Sequence, residues 1–123
     1  MRKKNVLRNQ RDFDSVYRKG KSVPSRHIVV LYRKNRLPYN RIAFLASKKV
    51  GNSVHRNRAR RLMREAYRLS GMVVPDGYDV IFVARQSITE ASCQAVRSSM
   101  VSALRRTGVI DRDERHQTRS RRH

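Results

Sequence analysis

The chain has 123 residues, of which 30 are lysine or arginine and 9 are aspartate or glutamate, so its formal net charge is +21. This length fits one domain of roughly 100 to 200 residues and excludes a second independent core. The charge indicates a polyanionic partner, nucleic acid in the first place and an anionic membrane surface in the second, and exceeds what an acidic small-molecule substrate would require.

Hydropathy and cysteine content exclude several other classes. The apolar fraction of 38% is low but allows a small core. No segment approaches the roughly 20 consecutive apolar residues of a transmembrane helix, so we expect a soluble, cytoplasmic protein with no membrane partner. The single cysteine, Cys93, excludes an internal disulfide and leaves no Cys-based zinc site.

The cations are of one main kind and lie mainly in one part of the chain. Arginine supplies 23 of the 30, and its planar guanidinium binds phosphate through two hydrogen bonds and stacks on bases, although codon bias is an alternative cause of that ratio. Residues 1–75 hold 21 of the 30 cations and 3 of the 9 acids. We therefore expect the binding surface in the first two thirds of the chain.

The first predicted element is a helix from Gln10 to Lys19. Asn9 is expected to cap its N-terminus, and Gly20 is expected to end it. Spacings of three and four residues place three apolar side chains on one side of this helix: Phe13, Val16 and Tyr17.

Two strands are predicted next. The β-branched and aromatic residues of His27–Arg33 favour a strand, and turn residues at 35–40 precede a second strand over Arg41–Ser47. We expect these two strands to pair as a hairpin. The second strand could extend through Lys48–Val50.

A change to helical periodicity then indicates a long helix that begins at Asn52 or Ser53 and is ended by Gly71. Its apolar side chains form one stripe: Val54, Ala59, Leu62, Met63, Ala66 and Leu69.

The last third of the chain predicts a turn at 73–77, a strand and a helix. Tyr78–Arg85 is the most apolar strand and is expected at the centre of the sheet. A capping box at residues 87–90 predicts that the final helix begins there and continues to about Arg106. One side of that helix carries Cys93, Val96, Met100 and Leu104.

These elements predict an α+β fold in which helices cover a small sheet, in the order α-β-β-(β)-α-β-α. We expect a single RNA-binding domain over residues 1–107. Residues 108–123 are expected to form a basic, disordered tail, because the stretch from 111 onward has no apolar residue.

The segment 48–68 carries the strongest functional signal, with eight cations and a single acid, Glu65. Arg56, Arg60 and Arg64 follow one another at helical i+4 steps, and like charges at that spacing destabilise a helix. Such a helix favours an external anion that relieves the repulsion. The alternative, a solvated face, would mix charges of both signs.

Phe13 and Tyr17 allow two interpretations. They are one helical turn apart and close to cations, so unpaired bases could stack on them. Helical spacing of this kind equally describes a core stripe, and the periodicity alone favours the core.

Catalytic groups are not evident in the sequence. No His–Glu or Asp cluster has metal-ligand spacing, and Asp76, Asp79 and Glu90 are the one conceivable metal set. His27 and His55 are isolated and are expected at the surface. We therefore predict no catalytic residue in this chain and a role in positioning RNA.

Several blocks of sequence resemble the protein subunit of bacterial ribonuclease P, which takes part in removing the 5′ leader of precursor tRNA. The Ser47–Asn52 run (SKKVGN), followed by residues 56–64 (RNRARRLMR), is similar to the family signature. Residues 11–21 resemble the family's first helix, and residues 78–85 resemble its last strand. The similarity extends from about residue 5 to residue 106.

The resemblance implies a two-layer α/β sandwich like domain 2 of ribosomal protein S5, with a left-handed β-α-β crossover. It also implies a subunit of an endoribonuclease whose catalytic centre lies in a large RNA, which uses Mg²⁺. The protein itself would hold no cofactor and would bind that RNA one to one, with higher assembly possible, together with precursor tRNA. The residues implied in binding the catalytic RNA are Lys48, Lys49, Asn52, Arg56, Asn57, Arg58, Arg60, Arg61, Arg64 and Arg68.

The resemblance further implies a cleft for the single-stranded leader, formed by the first helix and one face of the sheet. This reverses the preference for a plain core stripe at residues 13–17. The cleft residues would be Phe13, Tyr17, Val29, Leu31 and Arg33, with strand alternation also placing His27 on that face. Leu31 stands where some relatives carry an aromatic residue.

Two alternatives remain open beside this interpretation. A structural RNA-binding module, such as a small ribosomal protein, would explain charge and size equally well. A protein nuclease acting without RNA is disfavoured because no carboxylate or histidine cluster is present.

Overall fold

A computed structural model describes residues 5–112 of the chain. Its helices are α1 (Gln10–Lys19), α2 (Ser53–Ser70) and α3 (Cys93–Arg106). Its strands are β1 (Lys21–Pro24), β2 (Ile28–Lys34), β3 (Arg41–Leu45), β4 (Met72–Val73), β5 (Tyr78–Ala84) and β6 (Asp111–Arg112). Two short 3₁₀ helices cover Lys48–Val50 and Gln86–Glu90. The second strand therefore ends at Leu45 and does not extend through residues 48–50.

The main sheet has the strand order β1-β2-β5-β3. β5 is central, as predicted, and its Val80, Ile81 and Phe82 are fully buried. The predicted hairpin of β2 and β3 is wrong, because β5 lies between them and pairs with both. β2 instead forms its hairpin with β1, a short strand that the alternation did not reveal. The most apolar strand takes the position in which both of its edges are paired and both faces covered.

The sheet has a different cover on each face. α2 and α3 pack over the face that carries Ile28, Val30 and Phe82, where the larger core lies. α1 packs on the opposite face, over a smaller cluster around Val16 and Ile81. The fold is thus the predicted α+β sandwich, with one helix on the second face. β3 and β5 are parallel and joined through α2, and the left-handed sense of this crossover stays a prediction.

α2 begins and ends where the sequence predicts. The side chain of Asn52 accepts a hydrogen bond from the backbone N–H of His55 (3.1 Å), and Gly71 ends the helix with a φ of 73°, which glycine adopts without strain. The apolar stripe is narrower than predicted. Val54 is 72% exposed and Leu69 is 42% exposed. The buried positions are Ala59, Met63, Ala66 and Ser70.

α3 begins later than the capping box predicts. Residues 86–90 form a 3₁₀ helix, after which Ala91 is extended (φ −89°, ψ 145°). The N-cap is Ser92, whose Oγ accepts a hydrogen bond from the N–H of Ala95 (3.1 Å). The predicted apolar side is confirmed at Val96, Met100 and Leu104.

The domain extends beyond the predicted boundary at residue 107. Ile110 is 2% exposed and belongs to the larger core. β6 pairs antiparallel with β4, which occupies the start of the predicted turn at 73–77. A short strand whose partner lies about 40 residues away has no local signal. The predicted tail from residue 113 onward lies outside the described residues.

His27 is buried, 7% exposed, and the prediction that it lies at the surface is wrong. Its backbone N–H donates to Ser99 Oγ (3.0 Å), and its Nδ1 lies 2.8 Å from Ser87 Oγ. Burial first, and then the charge of Arg26, lower the pKa of His27 below its usual value. The backbone N–H of His27 therefore joins the start of β2 to α3, and its imidazole joins it to the 86–90 turn, which is a structural role.

Candidate nucleic-acid interface

The outer face of α2 carries a row of cations and one amide. The four side chains at spacings of four, three and four residues share this face and are exposed: Asn57, Arg61, Arg64 and Arg68. The buried stripe has the same spacings and starts two residues later, at Ala59, so it lies about 200° further round the helix. One face therefore packs on the domain while its opposite presents guanidinium groups to solvent.

A shallow depression lies along this face. It is lined by Val54, Asn57, Arg60, Arg61 and Arg64, with no carboxylate among them. An Nη2 hydrogen of Arg60 is donated to the side-chain oxygen of Asn57, which orients both groups. Three cations beside a neutral donor and acceptor suit a phosphate chain with adjacent hydroxyl groups. We refer to these five residues as the α2 surface.

Two arginines on the outer face of α2, Arg64 and Arg68, make further contacts within the protein. The guanidinium carbon of Arg64 lies over the ring of Phe44, 5.7 Å from its centroid, which holds the charged end of that side chain near β3. Arg68 pairs with Glu65 one turn away, and its hydrogen bond lowers the pKa of that carboxyl group. Both members of this pair are exposed, so the pair contributes little to stability. Glu65, the one acid of α2, is thus occupied by Arg68 of the same helix.

Arg58 is directed away from the α2 surface. Its guanidinium donates to the carbonyl oxygens of Thr89 and Ala91, each at 3.5 Å, on the flank near α3. These contacts give Arg58 a place in the packing of residues 86–91. It is the implied RNA contact that the structure separates most clearly from the others.

Four further implied contacts lie at the start of α2. Asn52 is engaged as the N-cap, with Oδ1 also 2.9 Å from His55 Nδ1. Lys48 and Lys49 are exposed on the 3₁₀ turn that leads into the helix. Arg56 is half-buried, and its Nε has no hydrogen-bond partner among the described residues.

The second candidate surface is the face of the sheet on which α1 lies. The strand register places Val29, Val83 and Leu45 in one row across β2, β5 and β3, and Leu31 beside Ile81. The predicted alternation of β2 is confirmed, because residues 28, 30 and 32 are buried on the opposite face. The half-buried side chains of this face form an apolar floor: Val29, Leu31, Leu45 and Val83.

Phe13 and Tyr17 stand on the flank of α1 that borders this floor. Phe13 is half-buried and packs on the small cluster together with Leu31 and Val83. Tyr17 is 51% exposed, and its partial burial raises its pKa above the usual value. Phe13 is thus part of the small core and of the border of the floor, while about half of Tyr17 is exposed to solvent. We call the floor and these two rings the cleft.

Leu45 and Val83 belong to the cleft but were not predicted. Alternation within β3 and β5 is the signal that could have found them, once the parallel pairing of these strands is known. Beyond Val83 a depression at the ends of these strands contains Arg26 and Arg85, which the sequence did not single out, together with Lys49, which was predicted as a contact of the catalytic RNA.

Arg33 lies on the same face as Val29 and Leu31 but outside the floor. Arg33 on β2 is aligned with Asp79 on β5, which in turn is aligned with Arg41 on β3. These three residues lie at the end of the sheet that α1 crosses. Arg33 lines a separate depression with Lys19, Lys21 and Lys34 near the C-terminus of α1. The structure therefore places Arg33 at a basic margin of the cleft.

The carboxylates do not form a metal site in the described part of the chain. No group of three or more His, Cys, Asp or Glu side chains there could hold a metal ion. Asp79 is paired with Arg41 through both of its oxygens, at 2.8 Å each, and also accepts from Asn35. Neither Asp76 nor Glu90 joins it, so the conceivable metal set of these three residues is wrong. Among the described helices none is long and apolar enough to span a bilayer.

Known proteins resemble the chain over nearly all of this domain. The family described as Ribonuclease P matches residues 1–108. The ribonuclease P protein component of Pelotomaculum thermopropionicum is 44% identical over 104 residues, which are 85% of this chain and 93% of that protein. That of Thermoanaerobacter sp. strain X514 is 40% identical over 116 residues, 94% of this chain and all of its own length.

Solved structures of similar proteins have the same fold. The ribonuclease P protein of Staphylococcus aureus superposes with a TM-score of 0.75 at 29% identity, over 85% of this chain and 96% of that one. The protein from Thermotoga maritima superposes with a TM-score of 0.71 at 32% identity, over 82% of this chain and 96% of that one.

Proposed function

The chain belongs to the ribonuclease P protein family, as the protein subunit of the endoribonuclease that matures tRNA 5′ ends, and from this we propose that it holds two RNAs on two separate surfaces. Its partners are the ribonuclease P RNA and the tRNA substrate. The α2 surface takes the first and the cleft takes the leader of the second.

The observation that carries this proposal is the α2 surface, where Arg60, Arg61 and Arg64 surround Asn57 without a carboxylate. An RNA backbone supplies the negative charge that such a helix lacks, and its hydroxyl groups match the amide. Lys48 and Lys49 extend the same charge to the turn before α2.

The cleft supports leader binding by a different chemistry. Its floor is apolar, Tyr17 offers an aromatic face, and cations lie at both ends, with Arg33 at one and Arg85 at the other. Single-stranded nucleic acid binds where bases stack on rings and the backbone follows cations. Mature tRNA has no such strand at its 5′ end, so the cleft distinguishes precursor from product.

We assign the chemical step to the RNA subunit, which would hold the Mg²⁺ ions that activate water. The carboxylates of the described residues support this division, because Asp79 is occupied by Arg41 and Asn35. Binding through one α2 surface favours one protein for each RNA. The place of action would be the cytoplasm, where precursor tRNA is made and processed.

The test of this function is cleavage at low magnesium. Purified protein, ribonuclease P RNA and a precursor tRNA with a leader are combined, and the rate is compared with that of the RNA alone. We expect acceleration of at least about tenfold, because neutralised phosphates no longer repel one another when the two RNAs meet. An unchanged rate would contradict the function, and it would favour a structural RNA-binding module.

A further inference from the structure

A chain of ion pairs fastens α1 to the sheet. Arg41 of β3 donates through Nε and Nη2 to the two oxygens of Asp79 on β5, each at 2.8 Å. Its remaining nitrogen, Nη1, donates to Oδ2 of Asp12 on α1, also at 2.8 Å. The Asp79 side chain is 6% exposed and that of Arg41 19%. These pairs raise the pKa of Arg41, so the guanidinium stays charged and fixed at all ordinary pH values.

The position of Asp12 gives this link a geometric consequence. Asp12 and Tyr17 are five residues apart, about 140° round the helix, so the link and the exposed ring lie on opposite flanks of α1. No other side-chain hydrogen bond joins α1 to the sheet among residues 5–112. The other attachments are apolar packing through Phe13 and Val16 and the backbone at the two ends of the helix, where the Leu7 N–H donates to the Ile42 carbonyl oxygen (3.1 Å) and β1 follows. Apolar packing is not directional and permits the helix to roll about its axis. Arg41 therefore supplies the directional side-chain contact that restricts the rotation of α1 about its own axis.

We propose that Asp12 is a positioning residue for leader recognition, which acts through Arg41 to hold Phe13 and Tyr17 at the edge of the cleft floor. This inference rests on the proposed leader-binding function of the cleft. Released from Arg41, α1 can roll, and the rings no longer stand at a fixed height above Leu31 and Val83. Each bound base then has to restore that geometry, which reduces the free energy gained by stacking.

Electrostatics alone predicts the opposite effect of losing this carboxylate. Asp12 is an acid near a surface that binds a polyanion, so its removal should strengthen the binding of any RNA, with or without a leader. The positioning role predicts weaker binding of leader-bearing RNA in particular. The two explanations therefore predict changes of opposite sign in the affinity for leader-bearing RNA.

The test compares Asp12→Ala with Asp12→Asn. Both variants remove the same charge from the first turn of α1, and with it the same interaction with the helix dipole. Only asparagine keeps an oxygen at the position that accepts from Arg41. Dissociation constants are measured for complete holoenzymes with precursor tRNA and with mature tRNA, and their ratio gives the leader selectivity. Thermal unfolding of each free protein verifies that it is folded.

We expect Asp12→Ala to lower leader selectivity about fivefold or more, as for partial loss of a stacking contact, while Asp12→Asn retains most of it. Equal selectivity in Asp12→Ala and the wild type, or equal losses in both variants, would overturn the positioning role. Phe13→Leu is measured in parallel. If that variant also keeps full selectivity, the proposed cleft itself fails, and the positioning role fails with it.

Discussion

Replacing Arg61 and Arg64 together with alanine is expected to weaken binding of the ribonuclease P RNA on the order of 100-fold at moderate salt. Hydrogen bonds to charged groups contribute roughly 1.5 to 3 kcal/mol each when their loss leaves the partner unmatched. Arg61 and Arg64 are both exposed, and Arg64 contacts Phe44 through its guanidinium group, so the substitutions leave the buried stripe of α2 intact. Filter binding at several salt concentrations gives both the affinity and its salt dependence.

The salt dependence separates specific contacts from general charge. Each lost phosphate contact should reduce the slope of log K against log salt by about 0.7 to 0.9. The matched control is Arg97→Ala with Arg105→Ala, which removes two charges from α3, away from the α2 surface. If the control lowers affinity and slope as much as the α2 variant does, then the protein binds by net charge and the α2 surface has no special role.

Replacing both rings of the cleft, Phe13→Leu with Tyr17→Leu, is expected to abolish most of the preference for leader-bearing tRNA. Leucine preserves the apolar packing against Val16 and Ile81, so the fold is maintained while the aromatic faces are removed. Stacking of a base on an aromatic side chain contributes about 1 to 3 kcal/mol. The expected loss for precursor tRNA is therefore about 5- to 150-fold for each ring that holds a base, with no change for mature tRNA.

Tyr17→Phe is the control for this prediction, because it keeps the ring and removes only the hydroxyl group. It should bind precursor tRNA nearly as the wild type does. An equal loss of affinity for precursor and mature tRNA in the leucine variant would return both rings to a purely structural role.

The parts of the site that could be predicted depend on local spacing. A helix repeats every 3.6 residues, and this repeat places on one face Asn57, Arg61, Arg64 and Arg68. The ends of α2 are also local: the side chain of Asn52 caps the N-terminus, and Gly71, which has no side chain, ends the helix. The alternation of β2 likewise placed Val29 and Leu31 on one face before any pairing was known.

The parts that failed depend on contacts between distant segments. β2 and β3 are neighbours in sequence, but the more apolar β5 lies between them, and no local pattern indicates this order. Arg58 belongs to the same cationic run as its neighbours, but the carbonyls of Thr89 and Ala91, about 30 residues away, determine its direction. Ile110 was assigned to the tail with the polar stretch that follows it, because the pairing of β6 with the distant β4 leaves no local pattern.

The ion pair of Asp12 and Arg41 shows the same limit. Asp12 and Arg41 are 29 positions apart in the sequence. Their contact follows only from the packing of α1 on the sheet, which no local pattern indicates. The sequence alone shows Asp12 as an acid in the first turn of a helix, and the structure adds its contact with the sheet beneath.

Site-directed crosslinking shows directly whether this chain holds two different RNAs on two surfaces. With Cys93 replaced by serine, a photoreactive group is attached at Asn57→Cys on the α2 surface or at Val29→Cys on the cleft floor, and each holoenzyme is irradiated with bound precursor tRNA. We expect the first position to crosslink to the ribonuclease P RNA and the second to the leader. Crosslinks from both positions to the same RNA would contradict binding on two surfaces.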